Sequence, residues 1–227
     1  MKALITSAEN LGFDSLWVCD HLTLGSGGDN LEAWTVLSIA SQLCESLRLG
    51  TLVLSASHRP PALLAKMAST LDVLSNGRLD LGLGPGWRRS EQISYGLPWE
   101  PIAKDRVTRL EETVQILRGM WTEEVFSFSG RYYRIQRAVC EPKPVQKPYP
   151  RILIAGRGEK LTLKVVAKYA NIWNIDEVTP NEYAGKLKVL RSHCNSVGTD
   201  FAKIEKSLEN YVLISDKSQD LDQVVNW

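Results

Sequence analysis

An excess of charge of either sign is missing from this chain: 27 lysines and arginines stand against 26 aspartates and glutamates in 227 residues, a formal net charge of +1. With no basic stripe there is no electrostatic footprint for nucleic acid or an anionic membrane surface. Long apolar runs are missing too. None approaches the roughly 20 residues of a membrane span, and the start lacks the three parts of a secretory leader. The expectation is a cytoplasmic protein with neither a membrane nor a nucleic-acid partner. Cysteine is scarce and scattered, at Cys19, Cys44, Cys140 and Cys194, which argues against a disulfide frame or a CxxC zinc site. Three histidines without helical spacing make no metal site. The phosphate-loop pattern GxxxxGK[ST] is absent, and Gly156-Arg157-Gly158 misses the dinucleotide fingerprint because its third glycine position is Leu161.

What is present is an alternation of strand and helix patterns. Residues 15–20, 47–55, 78–84, 151–155, 171–175 and 207–215 read as short apolar strands. Helical stripes run over 30–46, from Pro60-Pro61 through Leu64, Met67, Leu71 and Leu74, over 105–121, over 159–169, and from the capping box Thr179-Pro180-Asn181-Glu182 onwards. A further helix is expected after the last strand. Residues 125–135 predict a hairpin turning at Ser129-Gly130, and EPKPVQKPYP, 141–150, a connector. Together they make an insertion at about 122–150 in what is otherwise one domain spanning 1–227. Short apolar strands separated by helices predict a parallel sheet. Both an open doubly wound sheet and a closed (β/α)₈ barrel satisfy this pattern. Six strands, with a helix first at Ala3–Leu11, look like a barrel whose first and last strands are cut away.

In either fold, function gathers where strands end. The apolar run LWVC stops on Asp20-His21, costly to bury and poor in a strand. A solvated strand end is the bland reading. A site is favoured because two glycine-rich turns, Gly84-Pro85-Gly86 and Gly156-Arg157-Gly158, share the same rim, and histidine titrates where proton transfer is useful. Gly156-Arg157-Gly158 precedes a helix expected near Lys160, so bare N–H groups and the nearby cations suit an anion. His58, before Arg59-Pro60-Pro61, suits a helix cap or the site mouth. His193 is expected in solvent, and Trp34 and Trp121 in the core.

As a set, AENLGFDSLWVCDHL, LRLGTLVLSASHRPPALLAKMASTLDVLSNGRLDLGLGPGW, RVTRLEETVQILRGMWTEEVFSFSGRYYRI and EPKPVQKPYPRILIAGRGEKLTLKVVAKYANIWNI resemble the luciferase-like monooxygenases. The likeness is strongest to the branch using the deazaflavin coenzyme F420. It implies a TIM-type barrel, here incomplete, and an oxidoreductase moving hydride between coenzyme F420 and a small organic substrate. The alternatives are an FMN-dependent monooxygenase using O2, a non-catalytic flavin-binding protein, or an inactive fragment. By the same resemblance His21 handles the proton and Asp20 bonds the cofactor. Leu52-Val53 form a non-proline cis peptide against the ring, Ser55 and Ser90 contact the cofactor, and Gly156, Arg157 and Gly158 bind its phosphate. A homodimer is implied as well. Departures stand at Trp87, where sugar-phosphate dehydrogenases of the family carry a catalytic Glu, at Gly25, where they carry Trp, and at Asn171-Ile172, where the family has Asp-Gly.

Overall fold

Short apolar runs bounded by polar or glycine turns become strands, and longer stretches with apolar residues three and four apart become helices. The computed structural model describes residues 1–23, 30–212 and 214. In chain order it contains α1 (Lys2–Asn10), β1 (Ser15–Val18), α2 (Ala33–Leu43), β2 (Arg48–Thr51), β3 (Leu54–Ser55), α3 (Pro61–Leu74), β4 (Leu79–Gly84), α4 (Arg89–Ser94) and α5 (Ala103–Thr122). The hairpin β5 (Phe126–Ser129) and β6 (Arg134–Ala138) follows. Then come β7 (Arg151–Ala155), α6 (Thr162–Tyr169), β8 (Ile172–Asp176), α7 (Pro180–Val197), a 3-10 turn at Phe201–Lys203 and β9 (Glu205–Glu209).

Six strands pair in parallel in the order β1-β2-β4-β7-β8-β9, with β3 beside β4. Each strand is added on the same side of its predecessor. A doubly wound sheet reverses direction at a switch point; this one never does, so the winding is that of a barrel. Among the described residues β1 and β9 each have a strand neighbour on one side only. The sheet is therefore a half-barrel. No helix of the described residues is long and apolar enough to cross a membrane.

The sheet's two faces are built differently. Leu49 and Leu79, Leu81 and Ile152, and Leu83 and Ile154 are register partners, fully buried with the helices on the outer face. Each such side chain contributes roughly 1.5–3 kcal/mol of transfer free energy. The inner face carries the row Trp17, Gly50, Asp80 and Arg151. Asp80 is fully buried near the start of β4 and is gripped by Arg48 at 2.8 and 2.5 Å and by Arg151 at 2.9 and 2.7 Å. Arg151 continues to Glu205 at 2.7 Å. Burial pushes the Asp80 carboxyl up, but the two guanidiniums outweigh it and hold it below the usual carboxylate range.

The expected strand 47–55 is divided, because the Leu52–Val53 peptide is cis and separates β2 from β3. The expected strand 207–215 instead occupies Glu205–Glu209, where its ladder to β8 runs from Ile172↔Glu205 to Asp176↔Glu209 and stops with β8. Part of the expected span, the helix expected after it, and Gly25 lie outside the described residues. The capping box forms in both halves at Thr179 and Glu182, and Gly198 closes α7 in the left-handed region. The hairpin turn is fastened to α5 by Glu112, whose carboxylate accepts the N–H groups of Arg131, Tyr132 and Tyr133. In the Pro-rich connector, the Glu141–Pro142 and Lys147–Pro148 bonds are cis.

Candidate functional site

Glycine on alternate residues of β4 leaves room on the inner face for a neighbouring strand to bulge. A Cβ at Gly82 would lie 1.9 Å from the Thr51 carbonyl oxygen, and one at Gly84 would lie 2.9 Å from Val53 Cγ2. The cis Leu52–Val53 segment occupies that space, with both side chains half-buried. Next comes Gly86 at φ 78°, where a Cβ would meet Ser55 Oγ at 2.5 Å and Gln92 Nε2 at 2.8 Å. Only glycine turns the chain there without displacing the polar cluster it leads into. In that cluster Gln92 Oε1 accepts from Ser57 Oγ at 3.0 Å, Ser57 and Ser55 hydroxyls are 2.9 Å apart, and Gln92 Nε2 reaches Ser55 Oγ at 3.4 Å.

The turn delivers α4, a short helix whose buried side is polar: Glu91 and Gln92 are 3% and 2% exposed. Glu91 reaches the end of β1. Its Oε1 accepts the N–H groups of Leu22 at 2.7 Å and Thr23 at 3.0 Å, while Oε2 lies 3.2 Å from His21 Nδ1. Burial pushes this carboxyl up, but the hydrogen bonds from Thr23, His21 and Leu22 prevail and hold it below the usual range. The same stretch is pinned by Arg88, which donates to the Thr23 carbonyl at 2.7 Å, by Tyr95, which donates to that of Leu22 at 3.3 Å, and by Asn30, which donates to that of His21. Trp87 stands edge-on to the His21 ring, centroids 5.6 Å apart. The outer side of α4 lines an open depression of about 770 Å³ with Trp87, Arg88, Arg89, Ser90, Ile93 and Ser94.

Asp20 is 3% exposed and is held by two side chains from the next strand end. Arg59 engages both its oxygens, at 2.7 and 2.9 Å, and His58 Nδ1 lies 3.3 Å from Oδ2. Arg59 continues to Glu32, which in turn caps α2 at Trp34 and Thr35. Burial opposes the Arg59 charge, yet Asp20 and then Glu32 hold its pKa above the ordinary value. A carboxylate has about four lone-pair positions, so Asp20 keeps capacity for one more donor.

On the far side of the rim, the Gly156–Lys160 turn follows β7. Gly156 sits at φ 136°, and the Trp173 indole donates to its carbonyl at 3.1 Å. The backbone N–H groups of residues 157–160 find no acceptor among the described residues. Arg157 is half-exposed and pairs with Asp176 at 3.2 Å. From α7, Lys186 reaches the Glu159 carboxylate at 2.6 Å and His193 Nε2 lies 2.7 Å from its carbonyl oxygen.

Asp20, His21, Leu52, Val53 and Ser55 are therefore brought to one end of the sheet, with Gly156, Arg157 and Gly158 on the same rim. Ser90 is in α4, not in a turn, and is exposed on the side away from Glu91 and Gln92. The helix after Gly158 begins at Thr162 rather than near Lys160, because Gly158 and Leu161 carbonyls first accept the N–H groups of Leu163 and Lys164. His193 is part-exposed and also fastens that turn, and Trp34 and Trp121 are core as expected. Glu91, Gln92 and Arg59 were not anticipated as partners of the site, whereas His58, expected at a helix cap or the site mouth, stands beside Asp20. The available signal was adjacent polar residues just after a glycine turn or a strand end.

The family described as luciferase-like monooxygenase matches residues 1–227. A phthiodiolone/phenolphthiodiolone dimycocerosates ketoreductase of Mycobacterium bovis is 29% identical over 248 residues, covering 99% of this chain and 63% of the relative. An F420-dependent glucose-6-phosphate dehydrogenase of Amycolatopsis mediterranei is 36% identical over 166 residues, covering 72% of this chain and 47% of the relative. Among solved structures, an F420-dependent secondary alcohol dehydrogenase in complex with an F420-acetone adduct superposes with TM-score 0.83 at 23% identity, covering 91% of this chain and 63% of that one. At that identity the likeness is one of fold. The chain spans about 63% of the length of the ketoreductase it matches.

Proposed function

This chain belongs to the luciferase-like monooxygenase family, and from that premise we propose that its strand ends form the cofactor-facing part of an oxidoreductase using coenzyme F420. The observation that carries the reading is the His21–Glu91 pair at 3.2 Å, standing on the same rim as the cis Leu52–Val53 bulge. When bound, the deazaflavin supplies hydride exchange with a small carbonyl or alcohol substrate. The residues fit such a group. Leu52 and Val53 offer a backbone wall over Gly82 and Gly84, Ser55 and Gln92 offer polar edges, and the free N–H groups of 157–160 with Arg157 suit a phosphate. Asp20 has a lone pair left for the cofactor, and Ser90 lines the depression where a charged tail would run between Arg88 and Arg89.

The chain's own chemistry lies in His21, which holds or takes the substrate proton, and in the walls that orient the reactants. Trp87, placed where the family's sugar-phosphate dehydrogenases carry a glutamate, presents an apolar wall beside His21. That favours a small apolar ketone or alcohol over a sugar phosphate. Names of relatives point both ways: one is a ketoreductase and one solved fold neighbour a secondary alcohol dehydrogenase, while another relative is a glucose-6-phosphate dehydrogenase, so the preference rests on Trp87.

The family's own description favours one second reading, an FMN-dependent monooxygenase consuming O2. Fluorescence titration of the chain with F420 and, separately, FMN distinguishes them. F420 binding with alcohol-dependent reduction and no oxygen uptake is expected. FMN binding with substrate-dependent oxygen uptake selects the second reading, and binding of a cofactor without turnover leaves a flavin-binding protein. Binding of neither overturns the proposal.

A further inference from the structure

We infer that Glu91 is a positioning residue that sets the tautomer of His21, directing Nδ1–H inward and leaving the Nε2 lone pair as the proton acceptor at the strand mouth. The inference rests on the oxidoreductase reading for its consequence in turnover, but not for the tautomer itself.

The geometry divides the Glu91 carboxylate between two tasks. Oε1 accepts two backbone N–H groups, from Leu22 and Thr23, and so fixes the path of the chain just past His21. Oε2 faces His21 Nδ1 at 3.2 Å. An ionised carboxylate only accepts hydrogen bonds, so the neutral imidazole bonded to it must carry its proton on Nδ1. Nε2 has no hydrogen-bond partner among the described residues, and the side chain is 23% exposed, so that atom is open to a ligand. Which ring nitrogen is protonated is decided by the bond the other one makes. A histidine held this way accepts a proton at Nε2: an alcohol O–H breaks, an N–H forms, and the imidazolium is stabilised by Glu91, which stays ionised. In the reverse direction the same Nε2–H returns the proton to a carbonyl oxygen.

Glu91→Gln separates the two tasks. The glutamine Oε1 can still accept from Leu22 and Thr23, but the atom then facing His21 is an NH₂ donor. Nδ1 must become the acceptor, and the proton moves to Nε2. Long-range ¹H–¹⁵N spectra of the labelled chain read this directly. The neutral His21 ring is expected to be Nδ1–H in the wild type and Nε2–H in the variant. Cofactor affinity is expected to stay within about threefold, while kcat falls roughly 100-fold or more, the scale of a lost general base.

A neutral wild-type ring protonated on Nε2 overturns the inference, and this holds even where the variant fails to fold. The same tautomer in both proteins overturns it too, and so does a tautomer exchange with kcat unchanged in an active enzyme. A tautomer exchange in a chain that turns over neither F420 nor FMN upholds the role of Glu91 and instead defeats the oxidoreductase reading.

Discussion

The two ends of the sheet use the same chemistry to opposite purpose. At the N-terminal end Asp80 is buried between Arg48 and Arg151, and every oxygen is engaged. At the C-terminal end Asp20 is buried against Arg59 and His58, but its neighbour His21 is gripped through one nitrogen and left open at the other. The lower cluster is closed on itself, whereas the upper one leads to atoms with valence to spare. In barrel folds the first pattern reads as stability and the second as chemistry. Buried acids are therefore not in themselves the mark of the site; unfilled hydrogen-bonding capacity beside them is.

The largest effect should come from breaking the closed end. Asp80→Ala leaves Arg48 and Arg151 facing one another without their shared anion, and a cost of about 3 kcal/mol is expected, the low end for a broken buried pair because both arginines keep part of their side chains in water. Urea unfolding of the variant measures it. The pH dependence has a defined sign. The folded Asp80 carboxyl is held below its ordinary value, so its contribution is present above the unfolded pKa of about 4 and is lost as pH falls below that. Asp80→Asn should flatten the acid limb of the stability curve below about pH 4. An acid limb as steep as the wild type's would remove Asp80 from the account.

The legibility of the two ends in the sequence differs for the same reason. Strand and helix spacing located most elements, since leucine at 79, 81 and 83 can only serve one buried face. Spacing could not tell barrel winding from a doubly wound sheet, because strand order is a long-range property. Nor could it see the break at Leu52–Val53: LRLGTLVLS is apolar throughout, and only the family resemblance located the cis bond. The short helix α4 escaped entirely. Its sequence, RSEQIS, has no apolar stripe, and the side it buries is Glu91 and Gln92. Periodicity searches for apolar faces, so an element that buries hydrogen-bonding groups leaves no such trace. Asp20 and Arg59 were both visible at strand ends, yet nothing local couples positions 39 apart.

A smaller loss should follow at the turn that feeds the open end. Gly86→Ala puts a Cβ at φ 78° and within 2.5 Å of Ser55 Oγ, costing about 1–2 kcal/mol from backbone strain and displaced side chains. Because Gln92 and Ser55 must give way, cofactor affinity should fall more than stability does. Thermal unfolding and fluorescence titration on the same preparation compare the two. A variant that melts early yet binds cofactor with wild-type affinity would detach the turn from the site.

The smallest stability change belongs to the residue expected to matter most for turnover. His21→Asn removes a ring that is partly exposed and makes one side-chain hydrogen bond, while the Leu22 and Thr23 N–H groups continue to neutralise Glu91. Asparagine can also offer Glu91 a donor. Stability should therefore shift by no more than about 0.5 kcal/mol, as for an ordinary surface change, while turnover falls roughly 10²- to 10⁴-fold with loss of the proton acceptor. A fall in stability as large as that of Gly86→Ala would make His21 a structural member of the rim. The contrast between a closed end that holds the sheet and an open end that acts would then fail at its most informative residue.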